Sequence, residues 1–307
     1  GWPQMKAQLF RYFQLAGLYF SIFIEDFIVF EDAVDIVEVF VDGEQQTKGT
    51  DYTVDYTTGD VTFKPVIDDV ETLNRMAFKH TLNVTKVSFH AFGFLRERYA
   101  LLRAGAALGE GCGPLIVANE VIAPEEVKNK RIAIPGTCTT ANLLLKLFEP
   151  EIKETVVMSF DRIMPAVRAG DVDCGLIIHE GRFTYPIYGL KAVIDLGKWW
   201  EDETGLLIPL GGIVIDRSLG YNLIHEFNRW LRSSIEYAFE NPNEAMSYIR
   251  SYAQEMDDDV ISEHINLYVN DNTLDIGDEG IKAVEYLFKM GEDAGILPHS
   301  NHSIFPE

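Results

Sequence analysis

Three residues of acid–base type directly follow an apolar stretch in the middle of the chain. The segment LIIHEGRFTY (176–185) passes from a buried-strand pattern to His179, Glu180 and Arg182. Imidazole titrates near neutral pH, so His179 at the tip of a strand could act as a general base. The pattern also fits a histidine hydrogen-bonded into the packing beside a solvated Glu180–Arg182 ion pair. These residues alone leave both interpretations open.

A second candidate site lies in RIAIPGTCTTANLLLKLF (131–148). An apolar strand pattern ends at Gly136, and Thr139 and Thr140 stand where a helical pattern begins. The first N–H groups of a helix have no partner within the helix, so this end can bind a carboxylate or a phosphate. Alternatively, the threonines simply cap the helix. An exposed Cys138 here would have a lowered pKa, but no base for it lies nearby in the sequence.

Lys86 and Ser88 form a third candidate site in NVTKVSFHAF (83–92). They flank Val87 in an alternating pattern, and side chains two residues apart lie on the same face of a strand. A cation beside a hydroxyl could bind a carboxylate or a sugar oxygen, although a solvated lysine on a sheet edge fits the same pattern. Asn74, on the preceding predicted helix, is a further candidate for binding substrate.

The elements that position these residues are predicted by alternation along the chain. RIAIPG, ETVVMSF and DCGLII read as strands separated by helices, which predicts a parallel sheet covered by helices. Ligands of such sheets bind beyond the carboxyl ends of the strands, so His179, Thr139 and Thr140 are expected at one crevice. AVIDLGKWW and LGGIVIDR predict two more strands. Residues 39–66 predict a β-hairpin or meander at a sheet edge, and the pattern from Leu219 onward predicts helices.

Composition limits the classes of partner. The 307 residues are 47% hydrophobic, enough for two compact lobes, and carry a net charge of −22. This charge argues against nucleic acid and anionic membrane surfaces as partners, whereas a small-molecule carboxylate responds to the local field of a pocket. The three cysteines form no CxxC, and metal-type His/Cys spacing is absent from the sequence, so the residues alone indicate no metal site. The oligomeric state is left open.

The N-terminal stretch LAGLYFSIFIEDFIVF (15–30) is the one segment that resembles a targeting or membrane signal. Glu25 and Asp26 interrupt its apolar run well short of the ~20 residues that a membrane span needs. It also lacks a small-residue cleavage pattern and a strongly basic start. It therefore predicts ordinary core structure, and we expect a soluble cytoplasmic protein.

Several motifs in order along the chain resemble the family of 1,4-dihydroxy-6-naphthoate synthases, which belong to the futalosine route to menaquinone. They are DDVETLNR, TKVSF, ALGEGCGPLIVA, IPGTCTTANLLL, DRIMPAVRAGDVDCGLIIHEGRFTYPIYGL and DLGKWWEDETGLLIPLGGIVIDR. The similarity runs from about residue 68 to about residue 292. Residues 20–30 depart from the family's polar opening turn and keep only Ser21 and Asp26 of it, so no site residue is carried over from there.

The resemblance implies a two-lobed α/β fold of the periplasmic-binding-protein type (type 2), with the ligand cleft between the lobes and a helical C-terminal region. It implies conversion of cyclic dehypoxanthinylfutalosine to 1,4-dihydroxy-6-naphthoate with release of dihydroxyacetone, a carbon–carbon lyase reaction without a cofactor. The histidine of the family's IIHE motif, here His179, would be the general base. Lys86, Val87, Ser88, Thr139 and Thr140 match substrate-holding motifs, and we add Asn74 and Arg182 as binding candidates.

We expect residues 1–116 with 212–307 to form the larger lobe and 117–211 the smaller one. The alternative function is a non-catalytic protein of the same fold that binds a small carboxylate.

Overall fold

The computed structural model describes residues 68–242 and 258–306, together with four short strands nearer the N-terminus. These strands form two antiparallel pairs, β1 (Phe40–Val41) with β2 (Glu44–Gln45) and β3 (Tyr52–Asp55) with β4 (Asp60–Phe63). The expected hairpin structure is therefore present. Within the described residues, however, these strands pair with each other instead of extending the edge of a larger sheet. Residues 15–30, including Ser21 and Asp26, lie outside the described residues.

One large sheet is a five-stranded sheet in the order β10-β9-β11-β8-β12. Its strands are β8 (Leu115–Ala118), β9 (Arg131–Ile134), β10 (Glu154–Val157), β11 (Cys174–Ile177) and β12 (Lys191–Asp195). β9, β10 and β11 are parallel, as predicted, because a helix follows β9 and β10 and returns the chain to the same end. β8 runs antiparallel to both β11 and β12, so the complete five-stranded sheet is mixed.

The other large sheet is antiparallel and is built around one long strand, β13 (Ile208–Asp216). β5 (Val84–Ser88) pairs along one edge of β13, and β6 (Tyr99–Leu101) and β7 (Ala107–Gly109) pair along the other. Every residue of β5 is buried, because helices cover it. β5 is an edge strand of the described sheet, but it is buried, so the alternating pattern around Lys86 does not belong to a solvated edge.

The described helices surround both sheets. They are α1 (Val70–Phe78), α2 (Phe89–Leu95), α3 (Thr140–Phe148), α4 (Phe160–Ala169), α5 (Gly181–Thr184), α6 (Leu196–Thr204), α7 (Tyr221–Glu240), α8 (Asp258–Tyr268), α9 (Asp271–Leu274) and α10 (Gly277–Asp293). Two 3₁₀ turns, Pro124–Asn129 and Arg217–Leu219, complete the set. Among the described residues, no helix is both long enough and apolar enough to cross a membrane.

Side-chain caps fix the starts of the helices that frame the site. Asp69 accepts hydrogen bonds from the N–H groups of Glu71 and Thr72 at the start of α1, and Thr139 accepts one from Asn142 at the start of α3. Asp195 caps α6 through the N–H groups of Gly197 and Lys198. AVIDLGKWW is therefore a strand only as far as Asp195 and a helix beyond it, which corrects the sequence prediction.

The core joins the two sheets. One cluster of buried side chains contains Val87 and Val214 of the antiparallel sheet together with Ile116 and Ile132 of the mixed sheet. A second cluster packs α7 against the antiparallel sheet, and a third packs α4 against the mixed sheet. Burial on this scale is the main stabilising contribution to the fold. The first cluster holds the two sheets against each other.

The predicted α/β architecture with two halves and a helical C-terminal region is confirmed. The predicted lobe boundaries, 116/117 and 211/212, fall within β8 and within β13. The assignment of each residue to a lobe stays a prediction.

Candidate active site

A cavity of about 80 Å³ lies where elements of both sheets meet. Six of the residues singled out in the sequence line it: Lys86, Val87, Ser88, Thr139, Thr140 and His179. They come from three separate segments of the chain, namely β5, the start of α3 and the turn after β11. The fold therefore brings together residues that the sequence places up to 93 positions apart, counted from Lys86 to His179.

His179 lies in the turn that follows β11, two residues beyond the end of the strand. Its backbone has φ +53°, in the left-handed region that residues other than glycine rarely adopt. Strained backbone of this kind is concentrated at functional sites. The residue is half-buried, yet its Nε2 atom is shielded from solvent. The edge of its ring contacts Phe160, with the ring centroids 6.0 Å apart.

Burial lowers the pKa of His179 well below its usual 6.5, and the nearby His264 and Lys86 lower it further. Burial disfavours the charged imidazolium, and the Lys86 cation repels it. His179 is consequently neutral at physiological pH. A general base must be able to accept a proton, and a neutral imidazole is in the protonation state that allows this.

Lys86 and Ser88 differ in what they contact. Lys86 is 8% exposed, and its charge acts on both His179 and His264. The Ser88 hydroxyl donates a hydrogen bond to the Cys138 carbonyl over 2.5 Å and accepts one from Nδ2 of Asn74 over 3.0 Å. Asn74 is buried and is not part of the cavity lining. Ser88 and Asn74 thus join β5 and α1 to the loop that precedes α3.

The hydroxyls of Thr139 and Thr140 are also engaged in packing contacts. Thr139 donates to the carbonyl of Gly136 while it caps α3. Thr140 donates to the carbonyl of Leu210 over 2.5 Å and accepts a bond from the N–H of His90 over 3.4 Å. The capping interpretation therefore accounts for Thr139, and Thr140 connects α3 to β13.

Cys138 precedes the helix but is not activated by it. Burial raises the pKa of its thiol, and the negative charge of Glu71 adds to the rise. The thiolate is thus disfavoured. The loop is held from α1 instead, where Oε1 of Glu71 accepts a hydrogen bond from the N–H of Thr137 over 3.1 Å.

Arg182 lies outside the cavity lining. Its guanidinium donates to the carbonyl of Gly113 over 2.9 Å and to a carboxylate oxygen of Asp195 over 2.6 Å. This pair joins α5 to the start of α6. His179 and Arg182, neighbours in the sequence, therefore serve different parts of the structure.

The sequence patterns missed two aromatic residues of α8. Tyr268 lines the cavity, and His264 contacts His179 with ring centroids 6.1 Å apart. The two are four residues apart, so they lie on one face of α8. That spacing in SEHINLY was the available signal, but nothing in the sequence indicates that this face meets His179. In the described part of the chain, no three His, Cys, Asp or Glu side chains are grouped as a metal site.

Comparison with known proteins identifies the family. The family model described as menaquinone biosynthesis matches residues 50–293. The chain belongs to this family. A curated relative from Thermus thermophilus, named 1,4-dihydroxy-6-naphthoate synthase, is 46% identical over 245 residues, which cover 80% of this chain and 89% of the relative.

Solved structures agree with this membership. A crystal structure of an Archaeoglobus fulgidus protein is 43% identical, with a TM-score of 0.73, and the match covers 80% of this chain and 90% of that one. The alkanesulfonate-binding protein of Xanthomonas axonopodis, crystallised with MOPS, has a TM-score of 0.55 at 14% identity over 75% of this chain and 81% of its own. At that identity the likeness concerns the fold alone. The fold is thus that of the two-lobed periplasmic binding proteins, as the resemblance implied.

Proposed function

We propose that this member of the menaquinone biosynthesis family converts cyclic dehypoxanthinylfutalosine to 1,4-dihydroxy-6-naphthoate and releases dihydroxyacetone. The observation that carries the proposal is a neutral, partly buried His179 in a cavity that also contains the Lys86 cation. The name of the 46% identical relative supports the choice of product. A cytoplasmic location, expected from the sequence, is part of the same proposal.

The substrate's carboxylate binds near Lys86 and the first turn of α3. The ammonium group of Lys86 provides the positive charge, and the start of a helix adds partial positive charge from its backbone N–H groups. Because the hydroxyls of Thr139 and Thr140 already donate to protein carbonyls, these two residues act by holding the helix end in place. Ser88 and Asn74 act in the same way on the loop before the helix.

His179 removes a proton from the carbocyclic part of the substrate. A carbon–carbon bond of the substrate then breaks, and His179 returns its proton to the departing fragment, which frees dihydroxyacetone and leaves the aromatic naphthoate. Burial is the main cause of the lowered pKa of His179, and an anionic substrate beside Lys86 offsets only the smaller contribution of that cation. Shielding of Nε2 from solvent protects the proton transfer from exchange with bulk water.

The decisive experiment is to incubate the purified protein with cyclic dehypoxanthinylfutalosine. We expect the absorbance of the naphthoate to appear, with equimolar dihydroxyacetone measured by mass spectrometry. Binding of the substrate without either product would contradict the proposal and favour the alternative, a carboxylate-binding protein of the same fold. Addition of a chelator to the wild-type reaction tests the expectation that no metal is needed, and the rate should be unchanged.

A further inference from the structure

Helix α8 places a pair of aromatic residues beside the cavity and next to the turn after β11. His264 is 2% exposed and Tyr268 is 6% exposed. Their rings meet edge to face with centroids 4.6 Å apart. His264 also contacts the rings of His179 at 6.1 Å and Phe183 at 6.4 Å. Three aromatic side chains, those of His179, His264 and Tyr268, therefore form one continuous cluster, of which His179 and Tyr268 line the cavity.

Tyr268 is a neutral phenol. Burial raises its pKa, and the nearby Cys112, Glu180 and Asp195 raise it further, whereas Arg182 opposes them. Its hydroxyl consequently keeps its proton throughout the physiological range. A phenol of this kind can donate a hydrogen bond to a substrate oxygen and is poorly suited to act as a base.

The proposed reaction needs such a donor. A 1,4-dihydroxynaphthalene is the aromatic form of a ring diketone, so its hydroxyl oxygens are carbonyl oxygens in the ketone form. When a base removes a proton from a ring carbon beside a carbonyl, the electron pair moves onto that oxygen as an enolate. A donor already in place at this oxygen lowers the barrier, because it requires no reorganisation as the charge develops.

We propose that Tyr268 is a second catalytic residue of the cavity, which donates a hydrogen bond to the ring oxygen that becomes an enolate when His179 takes the proton. The inference rests on the proposed function. No proton leaves Tyr268 in this step. The substrate proton moves to the imidazole of His179, and the electron pair is shared with the ring oxygen.

His264 is a positioning residue in this arrangement. Its ring packs between those of His179 and Tyr268 and fixes the distance between the base and the donor. Burial and the Lys86 charge lower its pKa to about 3, so it is uncharged when the reaction runs. Its contribution to the arrangement is therefore not a charge, and its ring separates and orients the two neighbouring side chains.

The first test compares Tyr268→Phe with Tyr286→Phe, a control on α10 that is 41% exposed. We expect kcat of Tyr268→Phe to fall about 10²-fold, with KM changed less than about threefold and the melting temperature unchanged. The control should match the wild type. The Tyr268 assignment is overturned if the kcat of Tyr268→Phe is within twofold of the wild type.

A binding measurement separates failure of this assignment from failure of the proposed function. The product keeps the hydroxyl that Tyr268 contacts, so Tyr268→Phe should bind 1,4-dihydroxy-6-naphthoate about tenfold more weakly by calorimetry, whether or not turnover is seen. Wild-type protein that binds the naphthoate without converting the substrate overturns the proposed function alone. Equal affinity of Tyr268→Phe and wild type overturns the role of Tyr268.

The positioning role is tested by His264→Phe against His264→Ala. The phenylalanine keeps a ring against both neighbours and should retain kcat within about threefold. The alanine should lose about tenfold in kcat at nearly constant KM, since base and donor are both present but no longer aligned. Equal kcat of the two variants overturns the positioning role.

Discussion

The turn after β11 and the loop before α3 lead to the same cavity, yet they are built for different purposes. In the turn, His179 adopts φ +53° and its imidazole lines the cavity as a neutral base. In the loop, the polar side chains of Thr139 and Thr140 donate to carbonyls of the protein itself. In the proposed function, the turn provides the reactive group, whereas the loop provides the shape and the electrostatic field around it. Proximity to a ligand site is thus insufficient to assign chemistry to a polar residue.

The largest expected effect comes from the turn. His179→Gln should lower kcat by about 10² to 10⁴-fold, because it removes the general base while keeping a polar side chain of similar length. The melting temperature should change little. Turnover is measured by the naphthoate absorbance with cyclic dehypoxanthinylfutalosine.

His80→Gln is a matched control for this variant, because His80 is also a non-glycine residue with positive φ, +56°, but is exposed. Its activity should equal that of the wild type. Near-normal turnover of His179→Gln would contradict the assignment of His179 as the base. Neither the turn after β11 nor the loop before α3 would then provide a reactive group.

The next effect concerns stability at acid pH. Burial lowers the pKa of His90 to about 4 and that of His264 to about 3, and it lowers that of His179 as well. Below pH 6.5 the unfolded chain binds protons at these histidines and the folded protein does not. The free energy of unfolding therefore has its full contribution from these neutral histidines above pH 6.5 and falls as the pH decreases toward 4, by up to about 2 kcal/mol at pH 5 for each of His90 and His264.

Melting temperatures measured from pH 7.5 to 5 check this expectation. The decrease should be smaller in His264→Phe, which has one fewer histidine that stays neutral in the folded state. A melting temperature that is constant between pH 7 and 5, or an equal decrease in the variant, is inconsistent with the lowered pKa values.

In the loop before α3 we expect a smaller effect, which concerns the stability of the protein instead of its turnover. Thr140→Val removes the bond to the Leu210 carbonyl and should lower the free energy of unfolding by about 1–3 kcal/mol. Substrate affinity should fall only to the extent that the start of α3 shifts. Urea denaturation and KM measure the two quantities.

Thr155→Val, an exposed position on β10, is the control for this exchange and should keep wild-type stability. If Thr140→Val leaves stability unchanged but abolishes binding, its hydroxyl contacts the substrate directly and the distinction between the regions fails.

The smallest effect is expected at Cys138. Cys138→Ala should retain turnover within about twofold, because the raised pKa of the thiol disfavours the thiolate that chemistry would require. In the wild type, alkylation by iodoacetamide at pH 7.5 should be slow compared with a free thiol, as followed by mass spectrometry. Rapid alkylation coupled to loss of activity would assign chemistry to the loop as well.

Most of the strands and helices around the site could be predicted from the sequence, although the helix that begins at Leu196 could not. The apolar run ending at Ile177 is short and follows a turn, which favours a buried strand, and alternation with helices places the carboxyl ends of such strands together. This local information was sufficient to single out His179, Lys86 and Thr140, because hydrophobic period and residue type are properties of short segments. It also identified the family through contiguous motifs.

The contacts of each polar group could be learned only from the folded chain. Several of these features depend on segments that are distant in the sequence. Examples are the ion pair of Arg182 with Asp195, the hydrogen bond from the Thr140 hydroxyl to the Leu210 carbonyl, and the direction of β8. The approach of His264 to His179 depends on how α8 packs against the turn after β11. Side-chain hydrogen bonds and pKa values are set by these long-range contacts and by burial, and neither is encoded in a local pattern.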